Sequence, residues 1–158
     1  MSRTVEQIDK EAKENFIDYI FQNDYDNVEA YMGYFRVHNQ PDGLNFESES
    51  GGSPLAVACH SNKTLDIVKI LLDHDANPNY ILNEHNDTAL FYAVGNEHIP
   101  YEMTKYLLDR GADPTIKDNR GRTVIDNAIR LRVDSVVQLL RDYKSVKSIQ
   151  RKFRDRRT

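Results

Sequence analysis

A six-residue block recurs through this chain at a constant interval: Ser53-Pro54-Leu55-Ala56-Val57-Ala58, Thr88-Ala89-Leu90-Phe91-Tyr92-Ala93 and Thr123-Val124-Ile125-Asp126-Asn127-Ala128, whose first residues stand 35 and 35 apart. Each block leads into a leucine pair. The anchors Leu71, Leu107 and Leu140 follow at 36 and 33 residues, so short insertions separate otherwise equivalent positions. A unit of that length is too small to bury its own apolar face and gains a core only by stacking on neighbours. The chain is therefore expected to be a solenoid whose function lies on its variable surface.

Within a unit, apolar residues fall at helical spacing in two runs. After Pro54 they occupy Leu55, Ala58 and Cys59, then Leu65, Val68, Leu71 and Leu72, with polar His60-Ser61-Asn62-Lys63 between them. This predicts two short helices and a tight connection. Ser53, Thr88 and Thr123 stand where a hydroxyl can accept a free backbone N–H at a helix start, and Pro54 suits the first turn. Ala76-Asn77-Pro78-Asn79 and Gly111-Ala112-Asp113-Pro114 supply residues that end a helix and turn the chain. Upstream, Phe16, Ile17, Ile20 and Phe21, then Val28, Tyr31, Met32 and Phe35, repeat the pattern around Asn23-Asp24-Tyr25-Asp26. Val5, Ile8 and Ala12 take the first of these helices back toward the N-terminus, and Asp26 is the expected cap of the second. The aromatics are expected in the core, and residues 39–52 are expected to form a loop carrying the first tip.

These residues resemble the ankyrin repeat, whose pattern reads Thr-Pro-Leu-His-x-Ala-Ala, then Val-Val-x-Leu-Leu, then Gly-Ala-Asp-x-Asn. The matches are Ser53-Pro54-Leu55, Val136-Val137-Gln138-Leu139-Leu140 and Leu107-Leu108-Asp109-Arg110-Gly111-Ala112-Asp113-Pro114. The resemblance covers residues 47–145 and implies an all-α solenoid of stacked helix-turn-helix units with β-hairpin-like loops. Residues 1–145 would form the repeat domain, with units at 13–46, 47–81, 82–116 and 117–145, the first degenerate and capping. Residues 146–158 would form a basic tail. The histidine of the pattern is replaced by Ala56, Phe91 and Asp126, so the hydrogen bond that usually ties adjacent units must be missing or rebuilt. One extra residue near 60–64 and two near 96–101 lengthen the loops between paired helices.

Composition narrows the setting. The chain has 158 residues, 39% hydrophobic and 29% charged, which suits one folded domain and excludes disorder throughout. No apolar run approaches the roughly 18 residues of a membrane span, and the N-terminus lacks the apolar core of a secretory signal. With a lone Cys59 unable to close an internal disulfide, a cytoplasmic or nuclear location is expected. Catalysis is not expected. His38, His60, His74, His85 and His98 contain no pair spaced i and i+4 as helical metal ligands, Cys59 takes the place of a packed alanine, and Gly51-Gly52 lacks the lysine of a phosphate loop. No catalytic, cofactor-binding or metal-ligating residue and no small-molecule substrate is assigned.

The resemblance implies a monomeric module that binds another protein through its hairpin tips and the inner face of the first helix of each pair. Carried onto this sequence, those positions are Glu47, Glu49 and Ser50 with His60 and Ser61; Leu82, Glu84, His85 and Asp87 with Gly95 and Asn96; and Lys117, Asn119, Arg120 and Arg122 with Arg130. Such a surface would run from acidic to basic along the stack. Charge is also uneven along the chain. Of the formal −4, residues 144–158 contribute +6, leaving −10 for the rest. In that tail Lys147, Arg151, Lys152, Arg154, Arg156 and Arg157 accompany Tyr143, Val146, Ile149 and Phe153 at helical spacing. Two readings stand for it: a helix packed on the last repeat, or a segment that binds a calmodulin-like protein, nucleic acid or an acidic membrane.

Overall fold

The computed structural model describes residues 5–37, 43–49, 51–82 and 85–155, and the side chains of 7–34, 43–49, 51–82 and 85–145. Among these, helices α1 (Val5–Phe21) and α2 (Tyr25–Val37) make the first pair, α3 (Pro54–Ser61) and α4 (Asp66–Asp73) the second, α5 (Ala89–Val94) and α6 (Pro100–Asp109) the third, and α7 (Val124–Leu131) and α8 (Asp134–Asp155) the fourth. The connections at 62–65 and 95–99 are longer than that at 132–133, as the spacing of the repeats requires.

Each recurring block starts a helix, although the three hydroxyls act differently. Ser53 Oγ accepts the Ala56 N–H at 3.2 Å and Pro54 opens the first turn. Thr123 instead donates both its N–H and its hydroxyl to the Asp126 carboxylate, at 2.8 and 2.7 Å, so the residue that replaces the pattern histidine has become part of a cap. Thr88 holds the same position without a side-chain capping bond. In the first pair the cap is Asp24 rather than Asp26: Asp24 Oδ1 accepts the Asn27 N–H at 3.2 Å, while Asp26 already lies within the first turn of α2. Helices α1, α4, α6 and α7 end on left-handed residues, Asn23, Asp75, Gly111 and Arg132, whereas α3 and α5 end on Asn62 and Gly95 with negative φ. At Gly111, with φ of 92°, only the missing Cβ makes that turn free of strain.

The first helices form one layer, α1 against α3, α3 against α5 and α5 against α7, while α2 packs on α4 and α6 on α8. One core runs through the stack from Phe16 and Ile20 to Val136 and Leu140. Phe21 and Ile8, read as members of the first apolar stripe, are exposed at the end of α1 and on its outer side. The tie lost with the pattern histidine is rebuilt by Asn96. Its amide donates to Cys59 O at 3.0 Å and Asn62 O at 2.9 Å in the unit before, and its carbonyl accepts the His98 and Ile99 N–H groups at 2.9 Å. At the opposite end of the units, Asn45 Oδ1 accepts the Asn77 N–H and Asn79 Oδ1 accepts the Asp113 N–H, both at 2.7 Å.

Two features mark the last unit. Cys59 and Val94 are fully buried, but the equivalent Ile129 is 52% exposed, because the described stack has no further unit to cover it. The backbone of α8 then continues as helix from the fourth unit across residue 145 to Asp155.

Candidate partner-binding groove

The fourth tip is the best-defined loop. Lys117 and Thr123 form an isolated antiparallel bridge, the Asp118 N–H donates to Arg122 O at 2.9 Å, and the left-handed Gly121 donates to Asp118 O at 3.0 Å. Asp118, absent from the candidates drawn from sequence, organises it. Its Oδ1 accepts the Arg120 and Arg122 N–H groups at 2.9 and 2.8 Å, and Oδ2 accepts Arg122 Nε at 2.8 Å. Burial alone would push this carboxyl up, but the hydrogen bonds and charge of Arg122, with the Arg120 N–H, outweigh it and hold Asp118 below the usual carboxylate range. In the second unit Ser48 plays the same part, with its N–H donating to Gly52 O and its hydroxyl accepting the Gly52 N–H. The third tip is tied to the fourth by the Asn119 N–H donating to His85 O at 2.9 Å.

Two adjoining clefts open between these tips and the first helices. One, of about 310 Å³, is lined by His85, Asp87, Asp118, Asn119, Arg120, Arg122 and Arg130. The other, of about 230 Å³, is lined by His60, Asp87, Phe91, Tyr92, Gly95, Asp118, Arg122, Asn127, Arg130 and Leu131. They share Asp87, Asp118, Arg122 and Arg130, so together they make one groove across the third and fourth units. Gly95 keeps it open between His60 and Arg130, and the His60 ring meets Tyr92 edge-on at 6.1 Å.

The charges in the groove are unevenly matched. Arg122 is closed on Asp118, whereas among the described residues Arg130 donates to the neutral Asn127 Oδ1 at 2.7 Å and neither it nor the Arg120 guanidinium has a carboxylate partner. Asp87 is half-buried, and its carboxyl is pushed up by burial and then by the charge of Asp118, against the opposing pull of His85 and Arg122. Burial likewise raises Tyr92, with Asp87 and Glu47 adding to it.

Of the residues assigned from sequence, the groove gathers His60, His85, Asp87, Asn119, Arg120, Arg122, Gly95 and Arg130. Two belong to the interior instead. Leu82, only 3% exposed, packs under the third tip, and Asn96, equally buried, is the bracket between units. Ser61 lines neither cleft, and Glu49 faces the first unit, where it pairs with Lys10 and its N–H donates to Glu14 Oε1. Glu47 is half-buried and lies near enough to Tyr92 to raise its hydroxyl while lining neither cleft, and Lys117 lines a separate cleft of about 600 Å³ at the end of the stack with Ile125, Leu140 and Tyr143. Ser50, Glu84, Arg156 and Arg157 lie outside the described residues, as do the side chains of Lys147, Arg151, Lys152 and Arg154. Tyr92 and Asn127, which sequence reasoning passed over, occupy the x of Thr-Pro-Leu-His-x-Ala, the position that the repeat pattern itself leaves free. Cys59 is buried and its thiol is pushed up by that burial, and among the described residues no group of three His, Cys, Asp or Glu could hold a metal ion. No described helix is long and apolar enough to cross a membrane.

Paired helices stacked through bracketing side chains, with turn-shaped tips along one side, define a repeat scaffold. The family model for ankyrin repeats, in 3 copies, matches residues 16–118, and the chain belongs to the ankyrin repeat family. Ankyrin repeat protein L92 of Acanthamoeba polyphaga mimivirus is 33% identical over 98 residues, 62% of this chain and 23% of that protein. Ankyrin repeat and MYND domain-containing protein 1 of Mus musculus is 40% identical over 77 residues, 46% of this chain and 8% of that protein. This chain thus spans less than a quarter of the length of either relative. The crystal structure of EF0377, an ankyrin repeat protein, superposes with a TM-score of 0.67 at 28% identity, covering 82% of this chain and 63% of that one. Ankyrin repeats generally mediate protein–protein interaction and are generally non-catalytic scaffolds.

Proposed function

We propose that this chain is a non-catalytic, monomeric binding module that captures a partner protein in the groove between its third and fourth tips and the first helices behind them. One observation carries the reading. The two clefts are continuous through Asp87, Asp118, Arg122 and Arg130, and the tip that frames them is held rigid by buried Asp118. A preorganised surface loses little on binding, which is how a small number of side chains can give useful affinity. A cytoplasmic or nuclear setting, and a role as an adaptor, go with it.

The test is recovery of partner proteins from a cell lysate by Arg120→Glu/Arg130→Glu chain, with Lys69→Glu on the exposed side of α4 as control. Recovery should fall at least about tenfold for the double variant, equal to roughly 1.4 kcal/mol, with the thermal midpoint unchanged. Equal recovery by all three proteins sinks the reading.

A second reading rests on the helical backbone of α8, which carries the basic segment from 146 onward as one continuous element. In that case deletion of residues 146–158 removes a salt-sensitive interaction with RNA, anionic vesicles or a calmodulin-like protein. Binding to these that survives the deletion rules it out.

A further inference from the structure

Resting on the groove reading above, we infer that the occupant is an extended acidic peptide segment that carries an apolar side chain next to its carboxylates. Arg120 and Arg130 supply the charge. Among the described residues each guanidinium lines the tip-side cleft without a carboxylate of its own, while Arg122, the third arginine there, is already consumed by Asp118. An arginine without a partner is a planar set of donors matched to a carboxylate.

The helix-side cleft has a mixed lining, polar along Asp87, Asp118 and Arg130 and apolar on its opposite wall. Tyr92, Phe91 and Leu131 wall it, and Gly95 leaves space where a side chain would otherwise project. Arg130 lines both clefts, so a carboxylate on Arg130 places the adjacent residue of an extended chain against that wall. Asp87 sits at the junction as a half-buried carboxylate whose side chain accepts no hydrogen bond from the described residues. An extended peptide offers backbone N–H groups to such an acceptor.

The same residue argues against phosphate ligands. A phosphoserine dianion would bring more negative charge than a carboxylate up to Asp87 and Asp118, and a nucleic-acid backbone, with one charge per phosphate, offers Asp87 no regular row of amide donors. A peptide with single-charge carboxylates and regular amide donors satisfies both signs of charge in the groove.

The test is selection of a displayed random peptide library on the full chain, followed by titration of the selected peptides as labelled synthetic probes. The expected consensus is Asp or Glu beside Leu, Ile, Phe or Met. Affinity for these peptides should drop at least tenfold in Arg120→Glu/Arg130→Glu and in Gly95→Phe, which plugs the helix-side cleft. Peptides with Lys in place of the acids should regain binding to the double variant. A consensus without acidic residues that is still lost in Gly95→Phe overturns the ligand chemistry and leaves the groove reading standing. Selected peptides indifferent to both variants overturn the two together. No enrichment, or preference for phosphoserine peptides or single-stranded RNA over acidic ones, also overturns the inference. Unchanged far-UV spectra and melting curves certify each variant as folded.

Discussion

Asn96 and Thr104 are both buried polar residues, yet they stand on opposite sides of the hydrogen-bond account. The Asn96 amide is fully used between two units, whereas the Thr104 hydroxyl, wholly buried on α6, finds no partner among the described residues. A buried group left unpaired costs more than a pair gains, so the two should respond in opposite directions to apolar substitution. Asn96→Ala is expected to destabilise by about 2–4 kcal/mol, since it strands carbonyls of the preceding unit and two N–H groups of its own loop. Thr104→Val, of nearly the same shape, is expected to stabilise by about 1 kcal/mol. Urea denaturation followed by circular dichroism checks both through the midpoint at constant slope. Asp87 adds a pH signature. Its folded-state pKa lies above the ordinary value near 3.9, so its ionised form opposes folding at neutral pH, and the cost is relieved as pH falls through the folded value toward the unfolded one. Asp87→Asn should therefore melt about a degree or two higher at pH 7, a small gain because solvent screens a half-exposed charge, with the difference closing as the solution approaches pH 4.

At the level of elements, the tips are where local rules hold most firmly and where sequence was hardest to read. Helix starts were legible because Ser53, Thr88 and Thr123 recur in register with apolar residues of helical spacing, and the pattern needs no distant partner. Asp118 and Asn96 were not. Each is a polar residue in a loop, a type that is usually solvated, and only the fold shows that one is buried inside its own turn and the other wedged against the preceding unit. Leu82 failed from the other side, since its place in a tip said exposed while its chemistry said buried, and burial won. The groove was half legible for a related reason: the columns His60, Gly95 and Arg130 were named from the pattern, but the free position holding Tyr92 and Asn127 was passed over. The weight on Asp118 is testable. Asp118→Ala should speed hydrogen exchange of the Arg120 and Arg122 amides on the order of tenfold, as for loss of about one net hydrogen bond, while amides of α6 keep their protection. The stability difference between wild type and Asp118→Ala should be full at neutral pH and shrink as pH falls through the folded pKa of Asp118. A carboxyl held low contributes above its unfolded pKa and stops contributing as pH falls through the folded one.

Across the whole molecule, stability is carried from unit to unit, so a position's worth depends on having a neighbour on each side. Cys59, Val94 and Ile129 fill one column of the repeat, and Leu55, Leu90 and Ile125 another. In both, the first two members are buried and the last is left partly open, Ile129 to solvent and Ile125 on the cleft bounded by Leu140 and Tyr143. Sequence similarity between the units would assign equal importance down each column, whereas the stack assigns it by location. Val94→Lys should destabilise by more than about 4 kcal/mol, because it places an unpaired charge in a core with no solvent path. Ile129→Lys should cost about 1 kcal/mol or less, since its ammonium reaches water directly and only part of its apolar surface was covered. Midpoints of urea unfolding for the two variants, measured at one protein concentration and compared with Ile129→Ala, decide the matter. If Ile129→Lys proves as damaging as Val94→Lys, the end of the stack is covered in solution, and the described units alone do not account for the folded protein.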